Sequence, residues 1–221
     1  SEMCIRDRAI AEHMVRSLRT SPHASTVFEV DASSISAHRA AHKADYAKQG
    51  VELTFTPYFV LAAAAALRSV PAVNSTFSDQ GIRLKREVNI GIAVAMVEGL
   101  IVPVIKNADR KSLQETARQV NDLARRARAK ELLPEEVSGG TFTITNHGVG
   151  GSLVARPIIN QPQAAILGVG LIEKRVVVVQ NDAITVRPTT YLSLTFDHRV
   201  LDGAIADSFM RVLKRTLESW S

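Results

Sequence analysis

Residues 53–67 read "LTFTPYFVLAAAAAL", a run without a single charge. Pro57 sits where a first helical turn tolerates proline, and "YFVLAAAAALRSV" after it is apolar nearly all round. A helix of that kind has no face to give to water, so it must be covered by another layer of the fold. Pro57 inside the run and Arg68 closing it leave it short of the roughly 20 apolar residues of a membrane span. The run therefore predicts a helix buried against a sheet in a chain with no membrane segment. With 221 residues and 46% apolar content, the chain can build one large core around it.

The rest of the pattern supplies both kinds of layer. "RAIAEHMVRSLRT" (8–20) places Ile10, Met14, Val15 and Leu18 at helical spacing and ends at Ser21-Pro22. In "STVFEVDASSI", Val27, Glu29 and Asp31 alternate with Phe28 and Val30 as in a strand. Ser33 or Ser34 can then cap a helix reaching about Gln49, closed by Gly50. "VNIGIAVAMVEGLIVPVIK" (88–106) predicts two strands linked at Glu98-Gly99, with Pro103 marking an edge or a bulge. A long polar-faced helix runs from Ser112 to about Lys130, and "LLPEEV" forms a short second one. Strands follow at 141–145, 164–179, 183–188 and 191–196, then a helix over 204–220. Long strands with four or five helices in no regular βαβ alternation predict a two-layer α+β sandwich, a mixed sheet with helices packed on it. No linker or repeat divides the chain, so residues 8–221 form a single domain. "SEMCIRDR" lacks the apolar segment of a secretory signal and reads as a foreign or disordered start over residues 1–7.

Several function classes fall away on composition. Cys4 is the only cysteine, so there is no internal disulfide, and the six histidines show no zinc-ligand spacing. The net charge of +5 comes mainly from "ARRARAK" (124–130), a helical run with few aromatics, which reads as a solvated face rather than a nucleic-acid surface, with attraction to an anionic ligand or an acidic partner surface as the alternative. "GVGGS" (148–152) lacks the G-x-G-x-x-G register and no P-loop is present.

Two stretches could carry chemistry. "TITNHGVGGSL" ends a β run in Thr145, Asn146 and His147, with glycines that let backbone approach closely, as a turn or a site would. "TFDHRVLDG" (195–203) places His198 just beyond a strand and Asp202 just before a helix, which spacing alone reads equally as a strand end and a helix cap.

"DHRVLDGA" resembles the D-H-R-x-x-D-G signature of the dihydrolipoamide acyltransferases, the catalytic cores of 2-oxo acid dehydrogenase complexes. In looser form it is shared by the chloramphenicol acetyltransferases. "RAIAEHM", "VNIGIAVAMVEGLIVPVIKNAD", "GGTFTITNHG" and "PIINQPQAAILGVG" resemble the former family in order, so the likeness covers essentially residues 8–219. It implies a chloramphenicol acetyltransferase-like fold and transfer of an acyl group between coenzyme A and a dihydrolipoyl-lysine carried on a lipoyl domain outside this chain. It also implies His198 as base and acid, Thr145 as the hydroxyl that meets the oxyanion, and Asp202 as the group that orders the histidine's surroundings. Histidine and hydroxyl would come from neighbouring subunits of a homotrimer, with a larger cage left open because "LKRTLESWS" lacks the family's Leu-rich tail. The implied partners are the lipoyl domain and the 2-oxo acid dehydrogenase and dihydrolipoamide dehydrogenase components, in the bacterial cytosol or the mitochondrial matrix. The usual upstream lipoyl and subunit-binding domains are not in this sequence, which is then a catalytic core or part of a longer protein. The acyl group stays open between acetyl, succinyl and branched-chain: Thr145 and Ser152 resemble the succinyl branch, from which Gly170 departs. Two alternatives remain, an enzyme of the chloramphenicol acetyltransferase kind acylating a small hydroxyl acceptor and a non-catalytic trimeric scaffold.

Overall fold

A computed structural model describes residues 2–96 and 99–221, with backbone alone for residues 2–7 and 9. In chain order its longer elements are α1 (Glu2–Thr20), β1 (His23–Asp31), α2 (Ser33–Lys48) and α3 (Thr56–Ser69), followed by β2 (Ser75–Ser78), β3 (Gly81–Leu84), β4 (Ile90–Ile92) and β5 (Val94–Met96). Then come β6 (Gly99–Ile101), β7 (Val104–Ile105), α4 (Leu113–Ala129), β8 (Phe142–Asn146), β9 (Ala165–Val169), β10 (Glu173–Val178), β11 (Ile184–Asp197) and α5 (Gly203–Glu218). The main sheet runs β1-β11-β9-β8-β4-β7, with β10 also paired to β11. β8 is parallel to β4 and β9, and the other pairs of this sheet are antiparallel, so the sheet is mixed as expected.

Strand alternation decides which face meets the helices. Ile144, Leu167 and Leu194 stand in one row across β8, β9 and β11 and are all at most 1% exposed. On the same face Phe142 meets Phe209 of α5, ring centroids 5.6 Å apart. α3 packs against α5 and α4, with Tyr58, Phe59, Val60, Ala62, Ala63, Ala64, Ala66 and Leu67 buried, which is the covered apolar helix that the opening run demanded. The opposite face of the same strands is mostly small and polar, with Ile166 of β9 the exception: Thr143 and Thr145 on β8, Gly168 on β9, Ser193 and Thr195 on β11, with Ser25 Oγ of β1 3.2 Å from Thr195 Oγ1.

Several boundaries differ from the sequence reading. The expected strand over 164–179 is two, because the chain leaves β9 at Gly170, where a Cβ would lie 2.0 Å from the Leu153 carbonyl oxygen. Segments 183–188 and 191–196 are one strand: Pro188 lies where β11 changes partner from β10 to β1, and its carbonyl accepts from Ala32 N at 2.8 Å. α2 is entered through Ala32 rather than a serine cap, with the Asp31 carboxylate accepting from Ser33 N at 2.8 Å, while Ser34 Oγ donates to the Glu218 carbonyl instead. The two strands of 88–106 are four: β4 pairs with β7 in the main sheet, and β5 pairs with β6 in a ribbon of its own. The link residue Glu98 lies outside the described residues, and Pro103 precedes the edge strand β7. "LLPEEV" makes only a single 3-10 turn, Pro134–Glu136. The α1 backbone is helical from Glu2, six residues before the helix read from the sequence. Among the described residues no helix is long and apolar enough to cross a membrane.

Candidate active site

β11 delivers its chain to a tightly held corner. Asp197, its last residue, is 2% exposed and accepts hydrogen bonds from Ser21 Oγ at 2.7 Å, Arg199 Nη2 at 2.6 Å and the Arg199 backbone N–H at 3.0 Å. Burial pushes its carboxyl up, but the bonds from Arg199 and Ser21 outweigh burial and hold it below the usual carboxylate range. The Arg199 guanidinium lies over the Phe77 ring, 4.3 Å from its centroid, and Gln161 Nε2 donates to Ser21 Oγ at 2.8 Å. Between these two anchors His198 is exposed, its backbone N–H donating to the Pro22 carbonyl at 2.9 Å and its ring 5.8 Å from that of Phe196. An ion pair between buried Asp197 and partly exposed Arg199, on either side of an exposed imidazole, fixes the backbone and leaves the ring free to meet a substrate. Asp202 is the N-cap of α5, accepting from Ile205 N at 2.8 Å, and no bond from it to His198 is found among the described residues.

Thr145 is half-buried on the polar face, one residue from the end of β8. It stands opposite Gly168, where a Cβ would lie 2.5 Å from Ser193 Oγ and 3.3 Å from His147 Nε2 and Pro157 Cδ, so these side chains close over the strand there and leave room only for glycine. A little further on, a Cβ at Gly148 would fall 2.3 Å from backbone atoms of Gly170 and Leu171, which is why that turn requires glycine. Burial lowers the pKa of the half-buried His147 imidazole, whose two ring nitrogens have no hydrogen-bond partner among the described residues. Beyond the end of β8, Asn146 and Val149 line a cavity of 650 Å³ walled by Phe55, Ile92 and Val94 and bearing Arg39, Arg125 and Arg128. Sequence reasoning read two of these cations, Arg125 and Arg128, mainly as a solvated helix face with an anionic ligand as the second reading, and missed Arg39, which lies in α2 with no motif around it. It also passed over Ser21, whose role is visible only once β1 is paired with β11.

Thr145 and His198 do not meet within this chain. Thr145, Gly168 and Ser193 form one row across three strands, and His198 lies five residues beyond Ser193 on a strand antiparallel to β9. That spacing separates them by about 17 Å along the strands and about 10 Å across them, at opposite ends of the sheet. The structure thus brings His198 and Asp202 to one corner and leaves Thr145 at another. Among the described residues no group of three or more His, Cys, Asp or Glu could hold a metal ion.

Residues 3–221 match the family model of the 2-oxoacid dehydrogenases acyltransferase catalytic domain. A lipoamide acyltransferase component of a branched-chain alpha-keto acid dehydrogenase complex from Bacillus subtilis is 45% identical over 96% of this chain and 50% of its own length. A dihydrolipoyllysine-residue acetyltransferase component of a pyruvate dehydrogenase complex from the same organism is 43% identical over 95% of this chain and 48% of its own. The chain therefore spans about half the length of the curated relatives it matches. Among solved structures, a probable dihydrolipoamide acetyltransferase of Listeria monocytogenes superposes with a TM-score of 0.94 at 43% identity, covering 97% of this chain and 92% of that one. The dihydrolipoamide acetyltransferase of Azotobacter vinelandii does so at 0.93 and 36%, covering 96% and 88%, in a study of a serine, a histidine and an asparagine in its catalytic mechanism. A chloramphenicol acetyltransferase shares the fold at a TM-score of 0.61 and 12% identity, covering 93% and 94%.

Proposed function

The chain belongs to the 2-oxoacid dehydrogenase acyltransferase family over its catalytic domain, and on that premise we propose that it moves an acyl group between coenzyme A and the dihydrolipoyl-lysine of a lipoyl domain. The observation that carries the reading is the divided site: an exposed histidine on a pinned corner and a half-buried hydroxyl two strands away, each half a catalytic set. A second copy of the chain completes it by placing its Thr145 against this chain's His198.

In that arrangement His198 takes the proton from the attacking thiol. The resulting thiolate adds to the thioester carbonyl, and the developing oxyanion accepts a hydrogen bond from the Thr145 hydroxyl of the neighbouring copy. As the tetrahedral adduct collapses, the departing sulfur takes the proton back from the imidazolium, so proton and acyl group are both accounted for. A thiol near pKa 8.5 and an imidazole near 6.5 are close enough for one histidine to do both transfers. Asp202 serves by starting α5 at a fixed point, which sets the loop 198–202, and the Asp197–Arg199 pair fixes its other end. The cavity beyond β8 suits the other substrate: Arg39, Arg125 and Arg128 offer guanidinium groups to phosphates, and Phe55, Ile92 and Val94 an apolar wall.

The oligomer this needs has a surface ready for it. β10 and the first half of β11 run past the rest of the sheet as a hairpin, with Val176 opposite Val186 and Val178 opposite Ile184, all on one face and 57–75% exposed. A neighbouring copy in a homotrimer would cover this face. The matched relatives support association with the other components of a 2-oxo acid dehydrogenase complex and, being bacterial, a cytoplasmic setting.

Turnover with acetyl-, succinyl- and isobutyryl-coenzyme A and free dihydrolipoamide tests the reading and selects the acyl group. Dihydrolipoamide should be acylated, with His198→Ala slower by about 10²- to 10⁴-fold and Thr145→Val by about 10²- to 10³-fold. A preference for a hydroxyl acceptor over dihydrolipoamide would overturn it, and so would full activity in His198→Ala.

A further inference from the structure

α2 carries two imidazoles for which acyl transfer has no use. His38 and His42 are four residues apart, so the helix puts them on one face, and their rings are stacked with centroids 4.1 Å apart and planes 19° from parallel. His42 is exposed, and its Nδ1 is 2.8 Å from the His38 carbonyl oxygen. A carbonyl can only accept, so that nitrogen carries the proton and Nε2 keeps its lone pair. His38 Nδ1 is 2.9 Å from the hydroxyl of fully buried Tyr58. When the phenol oxygen accepts from Nδ1–H, His38 also presents a bare Nε2. Burial and Tyr46, opposed by Arg39, push Tyr58 up to about 12, so it stays a phenol.

We propose that His38 and His42 form a two-imidazole site on α2 for one divalent transition-metal ion of the nickel, copper and zinc class, with water completing the coordination shell. Neutral imidazole is a preferred ligand of these ions, and histidines at i and i+4 on a helix are the spacing by which helical zinc motifs hold metal, which corrects the sequence reading that found no zinc-ligand spacing among the six histidines. The Tyr58 hydroxyl against Nδ1 of His38 is the outer-shell arrangement that orients such a ligand. Each Nε2 binds along a lone pair in its own ring plane, so the rings must splay out of their stack, now 19° from parallel, before both can face one ion at about 2.1 Å. The exposed His42 can make that rotation by giving up its bond to the His38 carbonyl. Asp45, one turn on, is paired with Lys48 at 2.8 Å and leaves the site with two protein ligands.

Trp220, the only tryptophan of the chain, lies edge-on 6.2 Å from the His38 ring and 4.9 Å from Tyr58, so it reports on the site. The test titrates the whole chain with nickel or copper chloride and follows Trp220 fluorescence. We expect saturable quenching near one equivalent, reversed by zinc chloride as a closed-shell competitor, with the midpoint at least about tenfold weaker in His42→Gln and His38→Gln. Zinc should also raise the unfolding midpoint of the wild type and not of His42→Gln. Quenching that does not saturate, or an unchanged midpoint in a His42→Gln protein with wild-type metal-free circular dichroism and unfolding, would overturn the proposal.

Discussion

Asp197 is a buried carboxylate held by an arginine whose side chain is 31% exposed, so removing the arginine leaves a charge with little water to replace it. Arg199→Ala should cost about 2 kcal/mol, less than for a fully buried pair because Arg199 is partly solvated. The folded-state pKa of Asp197 is depressed, so this contribution is present above the unfolded-state value and is lost as pH falls through the lower folded value. The gap in thermal midpoint between wild type and variant should therefore be full at neutral pH and shrink below about pH 4. A gap unchanged down to pH 2 would show that the arginine acts through packing on Phe77 rather than through Asp197. The residues flanking His198 were visible in the sequence only as opposite charges beside a histidine. That they face each other, with Ser21 as a third member, depended on β1 lying along β11 in a register that sets His23 opposite Asp197.

At the scale of elements, period was a good guide and boundaries a poorer one. "TFTIT" alternates, and the structure sends Phe142 and Ile144 into the core and Thr143 and Thr145 to the polar face, as a period of two requires. The start of α4 at Ser112 was read from apolar spacing, while the capping box of Ser112 and Glu115 that fixes it was passed over although it is local and needs no other part of the chain. The serine cap of α2 failed because Asp31 reached Ser33 N first and Glu218 of α5 took Ser34, and no short window contains that competition. The hairpin of β10 and β11 carries this scale's prediction. Its aliphatic pairs lie where a monomer gains nothing from them, so Val178→Lys with Ile184→Lys should leave circular dichroism unchanged while reducing the oligomer, measured by sedimentation, and acyl transfer with it. If the double variant sediments as the wild type does, that face is not the contact between copies.

For the whole molecule, a site split between copies makes two individually inactive variants complementary. His198→Ala and Thr145→Val subunits, unfolded together and refolded as mixed oligomers, should regain a substantial part of wild-type turnover, because some interfaces then pair an intact Thr145 with an intact His198. No recovery in oligomers shown to be mixed would mean that each chain uses its own two residues, against their separation of about 17 Å along the strands. The sequence by itself determined the layers, since a helix apolar all round must be covered and alternating strands must have one dry face. It also offered Thr145, His198 and Asp202 as candidates, through their side-chain identity and the family resemblance of the stretches that hold them. Only the tertiary structure decided that Asp202 caps a helix without bonding His198, that Arg39 joins Arg125 and Arg128 around one cavity, and that hydroxyl and imidazole stand at opposite ends of a sheet. The physical reason is that strand order and register convert positions far apart in sequence into distances, and neither is written in any local pattern of residues.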